Sequence, residues 1–256
     1  MSNTGYYINN IFISDVAAKK TTGTAFMKIK LLVGLIIVFS CALQLHAQPV
    51  DGDPCSITAS DLDSASMIVT RLHGTLITVM QDAENLGYQG RYDVLAPVVS
   101  ENFNTPLITR TILGSRYWDS LAEQQQNEFI DLFLQLSIAT YADRFDSYGE
   151  EKFVELERKS LPLRGKCPPP EGKEPPAQRI IVKTELQKVK DDPVKLEYLL
   201  QKIDSKWYII TVIADGVNDL SLKRGEYSDV IKNKGFDGLV EEIKNKIRDM
   251  EKDTDS

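Results

Sequence analysis

The sequence predicts an α+β fold, with a helical layer packed on one face of a four-stranded antiparallel sheet and enclosing an apolar cavity. Apolar residues follow the helical period up to about residue 145. After Gly149 they alternate with polar residues, which is typical of half-buried strands. A last helix is predicted after Gly235. This order of helices, sheet and helix indicates an α+β domain.

The helices can be placed from their caps and their apolar stripes. Ser60 is the predicted N-cap of a long first helix that ends at Gly87. Further helices are predicted at 91–103, 106–114 and 115–121, and from residue 122 onwards. The helix from residue 122 is the clearest, because its apolar and aromatic residues recur at the helical spacing. This stripe fits a plain core and the lining of a pocket equally well.

The strands are short and are separated by turn residues. They are predicted at 153–157, 180–187, 194–201 and 207–213, with turns at 191–193 and 204–206. The last strand is almost continuously apolar, which predicts that both of its faces are covered. A stiff, exposed proline-rich loop at 165–176 separates the first two strands, and a mixed segment at 217–232 leads to the final helix.

Inward-facing apolar side chains are the candidate walls of the cavity, which would suit an aliphatic ligand. On the helix from residue 122 these are Phe129, Phe133 and Leu136. On the sheet they are Val182, Leu186, Tyr198, Leu200 and Ile209. We therefore predict these eight residues as the ligand-contacting walls, and the sequence does not distinguish such a cavity from a filled core.

The front of the chain predicts export. A basic stretch from Met27, a twelve-residue apolar run and a small residue at Ala47 form a secretory signal peptide at 27–47. Residues 1–26 are interpreted as an upstream mis-start, and 48–256 as a single exported domain. An uncleaved anchor and a lipoprotein site at Cys41 are the alternatives.

Two cysteines, Cys55 and Cys167, remain after the signal peptide. An even pair in an exported chain favours a disulfide, and two unpaired thiols are the alternative.

Composition argues against several classes of function. The first 47 residues hold four lysines and one aspartate, so the remainder carries 26 basic and 36 acidic residues, a net charge of −10. This charge argues against nucleic acid as a partner and restricts membrane contact to transient contact. His73 is the one histidine after residue 47, which argues against histidine-based catalysis. With no metal-ligand spacing and no phosphate-binding loop, we expect no enzyme activity and no cofactor.

Several spread motifs carry a family resemblance. They include Leu86–Tyr92 and, after the last strand, segments 214–217, 224–228 and 234–239. In this order they resemble the MlaC/toluene-tolerance family of periplasmic lipid-binding proteins. The run at Leu86–Tyr92 looks most like the hopanoid-associated HpnM branch.

The resemblance implies a fold in which helices and a curved sheet enclose a deep apolar cavity. It implies a carrier that moves a hopanoid or a phospholipid between inner-membrane and outer-membrane lipid transport complexes. A protein of a different class stays open as the alternative: an assembly or adaptor factor for membrane lipid machinery that holds no lipid itself.

Overall fold

A computed structural model describes residues 55–189 and 192–253. Within them the elements are α1 (Ala59–Gln81), α2 (Ala83–Asn102), α3 (Thr105–Leu113), α4 (Ser115–Trp118), α5 (Glu123–Arg144), β1 (Lys152–Ser160), β2 (Arg179–Gln187), β3 (Val194–Ile203), β4 (Lys206–Ala214), β5 (Val217–Asn218) and α6 (Asp219–Asp253). The predicted mis-start, the signal peptide and Asp191 of the predicted turn lie outside the described residues.

Helix α1 is capped by Thr58, so the predicted cap at Ser60 is wrong. The Thr58 hydroxyl accepts from the backbone N–H of Asp61 at 3.2 Å, and the Asp61 carboxylate accepts from the N–H of Thr58 at 2.9 Å. This reciprocal pair satisfies two donors that a helix start otherwise leaves open. The same carboxylate accepts from Lys202 Nζ at 2.8 Å and Trp207 Nε1 at 3.2 Å, which ties the start of α1 to β3 and β4.

The first helix does not run to Gly87 as predicted. It ends at Gln81, and α2 begins immediately after Asp82. Gly87 instead breaks α2 internally, with φ 58° and ψ −174°, a backbone conformation that is nearly restricted to glycine. The glycine therefore marks a change of helix direction rather than a helix end.

The α+β class is confirmed, and the antiparallel sheet follows chain order from β1 to β5. The prediction of four strands is wrong by one. Asp215 and Gly216 both have positive φ, 47° and 82°, as in the two-residue turns that reverse a hairpin. The reversed chain pairs Val217 and Asn218 with the end of β4. A strand of two residues has no alternation that sequence reading could detect.

One face of the sheet is covered by helices. In β2 and β3 buried residues alternate with half-buried ones. Strand β4 also alternates, since Trp207 and Ile209 are buried while Tyr208 and Ile210 are half-buried. The second face of this strand is therefore half-buried, which is less than the full cover that the sequence predicts for both faces.

The predicted mixed segment at 217–232 is mostly helix. It forms the first half of α6, which continues to Asp253 after a break at Gly235, where φ is 73° and ψ is −172°. Leu220, Tyr227 and Ile231 are spaced by seven and four residues, so they share one face of a helix. This face packs toward the other helices.

Buried apolar residues form two clusters. The sheet cluster lies between the sheet and helices α1 and α2, and its members include Val69, Leu72, Leu76, Leu95, Val182 and Leu200. The helix cluster lies among α3, α4, α5 and α6, and its members include Ile112, Trp118, Phe129, Phe133, Leu136 and Leu239. The molecule thus has a seam where two separate cores meet.

The loop between β1 and β2 is joined to the start of α1. Cys55 and Cys167 are bonded, with their Cα atoms 5.5 Å apart. Close by in sequence, the Gln178 side chain donates to the backbone carbonyl of Ser56 at 2.6 Å. Both contacts hold the proline-rich loop against the segment that precedes α1.

Candidate functional site

A pocket of about 160 Å³ lies at the seam between the two apolar clusters. Its walls come from α2, α3, α5, β4 and α6. Val99 and Phe145 belong to the sheet cluster, whereas Ile108, Phe133 and Leu136 belong to the helix cluster. The pocket is therefore space left between two packed cores rather than a defect inside one of them.

The deep walls of the pocket are apolar. Phe133 and Leu136 of α5 are 4% and 1% exposed, and Ile108 of α3 is 5% exposed. Val212 of β4 and Met250 of α6 border the same space. A ligand in contact with such a lining gains dispersion contacts and is removed from water, and it needs no hydrogen-bonding groups.

The two aliphatic hydroxyl groups that α5 contributes to the wall are already satisfied within that helix. Ser137 Oγ donates to the carbonyl of Phe133 at 2.8 Å, and Thr140 Oγ1 donates to the carbonyl of Leu136 at 2.7 Å. Because their protons are used in this way, these residues add little polarity to the pocket. The chemistry of the interior therefore suits a hydrocarbon chain.

Tyr141 is the one ionisable phenol on the pocket wall. Burial raises the pKa of this phenol above its ordinary value, and the nearby carboxylate of Asp219 acts in the same direction. The hydroxyl therefore stays protonated and uncharged at physiological pH. The ring also stacks on Phe145, with centroids 5.9 Å apart, which extends the aromatic wall toward the end of α5.

The outer part of the pocket is charged. Arg144 from the end of α5 and both Lys223 and Lys246 from α6 border it, together with the carboxylate of Asp219. Lys223 Nζ lies 3.3 Å from Asp219, and its side chain is only 19% exposed. Lys246 Nζ lies 4.0 Å from the Glu226 carboxylate. The site thus has an apolar interior and a rim whose charged groups are predominantly cationic.

The pocket is smaller than the deep apolar cavity that the family resemblance implies. An engineered cavity of about 150 Å³ holds one benzene molecule. The 160 Å³ observed here can thus hold only part of one acyl chain. The reason is that many apolar side chains expected to line a cavity pack against each other in the two clusters.

The eight predicted lipid-binding residues do not come together. Phe133 and Leu136 border the pocket, whereas Phe129 is fully buried in the helix cluster behind them. The five sheet residues are buried in the sheet cluster, at 0–2% exposure: Val182, Leu186, Tyr198, Leu200 and Ile209. The sequence shows which side chains face inward, and it does not show which of them leave space unfilled.

Other wall residues were outside the eight predicted ones. Thr140, Tyr141 and Phe145 belong to the α5 stripe that the sequence assigned equally to a core and to a pocket lining, and they border the pocket. Lys223 and Lys246 are 23 residues apart and carry no motif, so only the path of α6 brings them to one place.

The one histidine of the described residues lies away from the pocket. His73 stacks on Phe153 with centroids 3.8 Å apart, and its Nε2 lies 2.9 Å from the Tyr198 hydroxyl, inside the sheet cluster. Over residues 55–189 and 192–253, no three side chains of the metal-binding types lie together. None of the helices described is both long and apolar enough to cross a membrane.

Comparison with known proteins gives the family. A family model described as MlaC protein matches residues 70–245, which reach from α1 to α6. The chain belongs to the MlaC family. A solved structure of a phospholipid-binding protein from Ralstonia solanacearum, in complex with a phospholipid, is 18% identical to this MlaC-family chain, with a TM-score of 0.57. The match covers 75% of this chain and 98% of that one, which shows a shared fold. No curated protein matches the chain.

Proposed function

We propose that this MlaC-family protein is a lipid-binding carrier that shuttles a hydrophobic lipid between the inner and outer membranes. The observation that carries the proposal is the apolar pocket at the seam of the two clusters. Family membership and the phospholipid held by the Ralstonia solanacearum protein support it.

A carrier of this kind solves an energetic problem. Moving a 16-carbon chain from a membrane into water costs about 12 kcal/mol at about 0.8 kcal/mol per CH₂ group. An apolar site removes most of this barrier, because the chain leaves one apolar environment for another. The lipid is a hopanoid or a phospholipid, and the resemblance of Leu86–Tyr92 to the HpnM branch is the observation in favour of a hopanoid.

Loading a whole lipid requires the pocket to widen. Because 160 Å³ holds only part of a chain, we propose that α6 moves away from α5 when lipid enters. The break at Gly235 separates the part of α6 that carries Lys223 from the part that carries Lys246. The two halves of the helix can therefore change their mutual angle without breaking helical hydrogen bonds elsewhere.

The carrier works in the periplasm after its signal peptide is removed near Ala47. Its partners there are the inner-membrane and outer-membrane lipid transport complexes, with transient contact to either membrane. N-terminal sequencing of the exported protein checks this, with Gln48 as the expected first residue.

The small pocket favours a second candidate. An assembly or adaptor factor for membrane lipid machinery would keep the same fold with its interior filled by side chains, as the two clusters are. Such a factor would accept no lipid from vesicles, and this separates it from a carrier.

A pocket-filling variant tests lipid binding directly. Ser137→Phe places a ring at the pocket wall, and we expect severalfold less lipid taken up from vesicles. Gln135→Phe is the matched control, because Gln135 is exposed on the same helix and does not border the pocket. Circular dichroism must show that both variants are folded. If Ser137→Phe does not fold, Thr140→Leu replaces it as a pocket variant, because it adds a smaller group to the same wall. Undiminished uptake by every folded pocket variant would contradict the proposed site.

A further inference from the structure

The rim of the pocket carries a charge that the lipid-carrier proposal does not yet use. The whole chain has a net charge of −7, yet three cationic side chains from two helices border one pocket. The carboxylate of Asp219 borders it with them, and the Glu226 carboxylate lies beside Lys246 outside the lining, so the cations outnumber the nearby carboxylates by one. A local excess of positive charge on an acidic protein attracts anions to this place rather than to the surface at large.

Lys223 is the most informative of the three cations. Four-fifths of its side chain is covered, and it lies 3.3 Å from the carboxylate of Asp219, one turn earlier in α6. An ion pair at this spacing on a helix surface stabilises the helix only slightly. A lysine side chain that packs this closely against the pocket lining brings its charge to the pocket, and the weak pair with Asp219 leaves a role for that charge there.

The other two cations extend the charge around the rim. Lys246 reaches the pocket from the far half of α6, and its carboxylate neighbour Glu226 is at the outer limit of ion pairing, 4.0 Å. Arg144 reaches it from the last residue of α5. A guanidinium and two ammonium groups together offer several donors to the oxygens of one anion.

We propose that Arg144, Lys223 and Lys246 form an anion-binding subsite that holds the phosphate or carboxylate group of a lipid whose acyl chain enters the apolar pocket. The inference rests on the proposed lipid binding and deepens it. It means that the protein selects lipids by headgroup charge, so that an uncharged polycyclic lipid is a poor ligand. The carrier thus recognises the anionic headgroup of an amphiphile as well as its hydrocarbon chain.

Two lipids that differ only in the phosphate test this selectivity. We compare 1-palmitoyl lysophosphatidic acid with 1-monopalmitoylglycerol on the folded protein, and palmitate with hexadecanol as the carboxylate pair. The anionic member of at least one pair should bind roughly tenfold more tightly, the factor expected of a charge-assisted hydrogen bond. Selectivity in one pair or in both identifies phosphate, carboxylate or either as the preferred group. Added salt should weaken the binding of the anionic lipids and leave the binding of the neutral lipids unchanged.

Variants assign the selectivity to the rim. Lys223→Gln should weaken the binding of the anionic lipid roughly tenfold and leave the binding of the neutral lipid unchanged. Adding Lys246→Gln should remove the preference for the anionic lipid. Lys232→Gln, which changes the same charge at an exposed position of α6, should behave as wild type.

If Lys223 serves only its pair with Asp219, Lys223→Gln lowers stability slightly and keeps the preference, which overturns the inference. Equal binding of charged and neutral lipids also overturns it while leaving lipid carriage intact. Binding of none of the four lipids defeats the proposed function itself.

Discussion

At the scale of single residues, His73 shows how burial controls protonation in this protein. The residue is 7% exposed, its ring is stacked on Phe153, and the Tyr198 hydroxyl lies 2.9 Å from Nε2. Burial lowers the pKa of His73 to about 3. The folded state therefore keeps the imidazole neutral at pH values where the unfolded chain already binds a proton.

The free energy of unfolding should consequently fall as pH decreases. The contribution from His73 is fully present above the unfolded pKa of about 6.5 and is lost between there and about pH 3, at about 1.4 kcal/mol per pH unit. Urea unfolding at pH 7, 5.5 and 4.5 measures the slope for wild type and for His73→Gln, which cannot titrate. We expect a shallower slope for the variant, and identical slopes would contradict this account.

At the scale of elements, the halves of α6 are joined by a glycine that another residue cannot replace without strain. Gly235 has φ 73° and ψ −172°, and a Cβ added there would meet open space. The cost of substitution is therefore one of backbone conformation and not of collision. Gly225, ten residues earlier in the same helix, also faces open space and has no such conformation.

The two glycines should respond in opposite directions to the same substitution. Gly235→Ala should lower the free energy of unfolding by about 1–3 kcal/mol, because it forces alanine into a nearly glycine-only conformation. Gly225→Ala should raise it by about 0.5–1 kcal/mol, because alanine favours the helix and restricts the unfolded chain. Denaturant unfolding of both variants makes the comparison, and destabilisation of equal size would show that the break at Gly235 is not a conformational requirement.

The proline-rich loop is an element fastened by a covalent bond. The bond between Cys55 and Cys167 closes a loop of 112 residues in sequence. We expect the exported protein to contain it, and a Cys55→Ala/Cys167→Ala variant to lose about 4–5 kcal/mol of stability in the chain-entropy model. Thiol titration of protein purified under oxidising conditions is the check. Two reactive thiols per chain would contradict the prediction.

Elements with a clean period could be predicted from sequence, and elements without one could not. Helix α5 and strands β2 and β3 agree with their predicted bounds within a few residues, because burial on one face repeats along each of them. Strand β5 is too short to show a period. The first half of α6 was missed because its apolar residues are sparse, although Tyr227 and Ile231 stand one helical turn apart.

At the scale of the whole molecule, the site is a property of how two cores meet. The sheet cluster and the helix cluster each fill their interior, and the pocket remains between them. Periodicity found Phe133 and Leu136 because they face inward on a regular helix. It could not separate them from Phe129, one turn earlier on the same stripe, since the difference depends on what packs opposite each ring. The cationic rim likewise depends on tertiary structure, because its members lie in separate parts of the sequence.

The central claim is that the protein carries lipid. Mass spectrometry of organic extracts from protein purified out of its native periplasm tests it most directly, with Ser137→Phe purified in parallel as the pocket-blocked control. We expect lipid to be recovered from the wild type, with anionic lipids prominent, and clearly less from the variant. Wild-type protein that yields no lipid on extraction and takes up none from vesicles would contradict the claim.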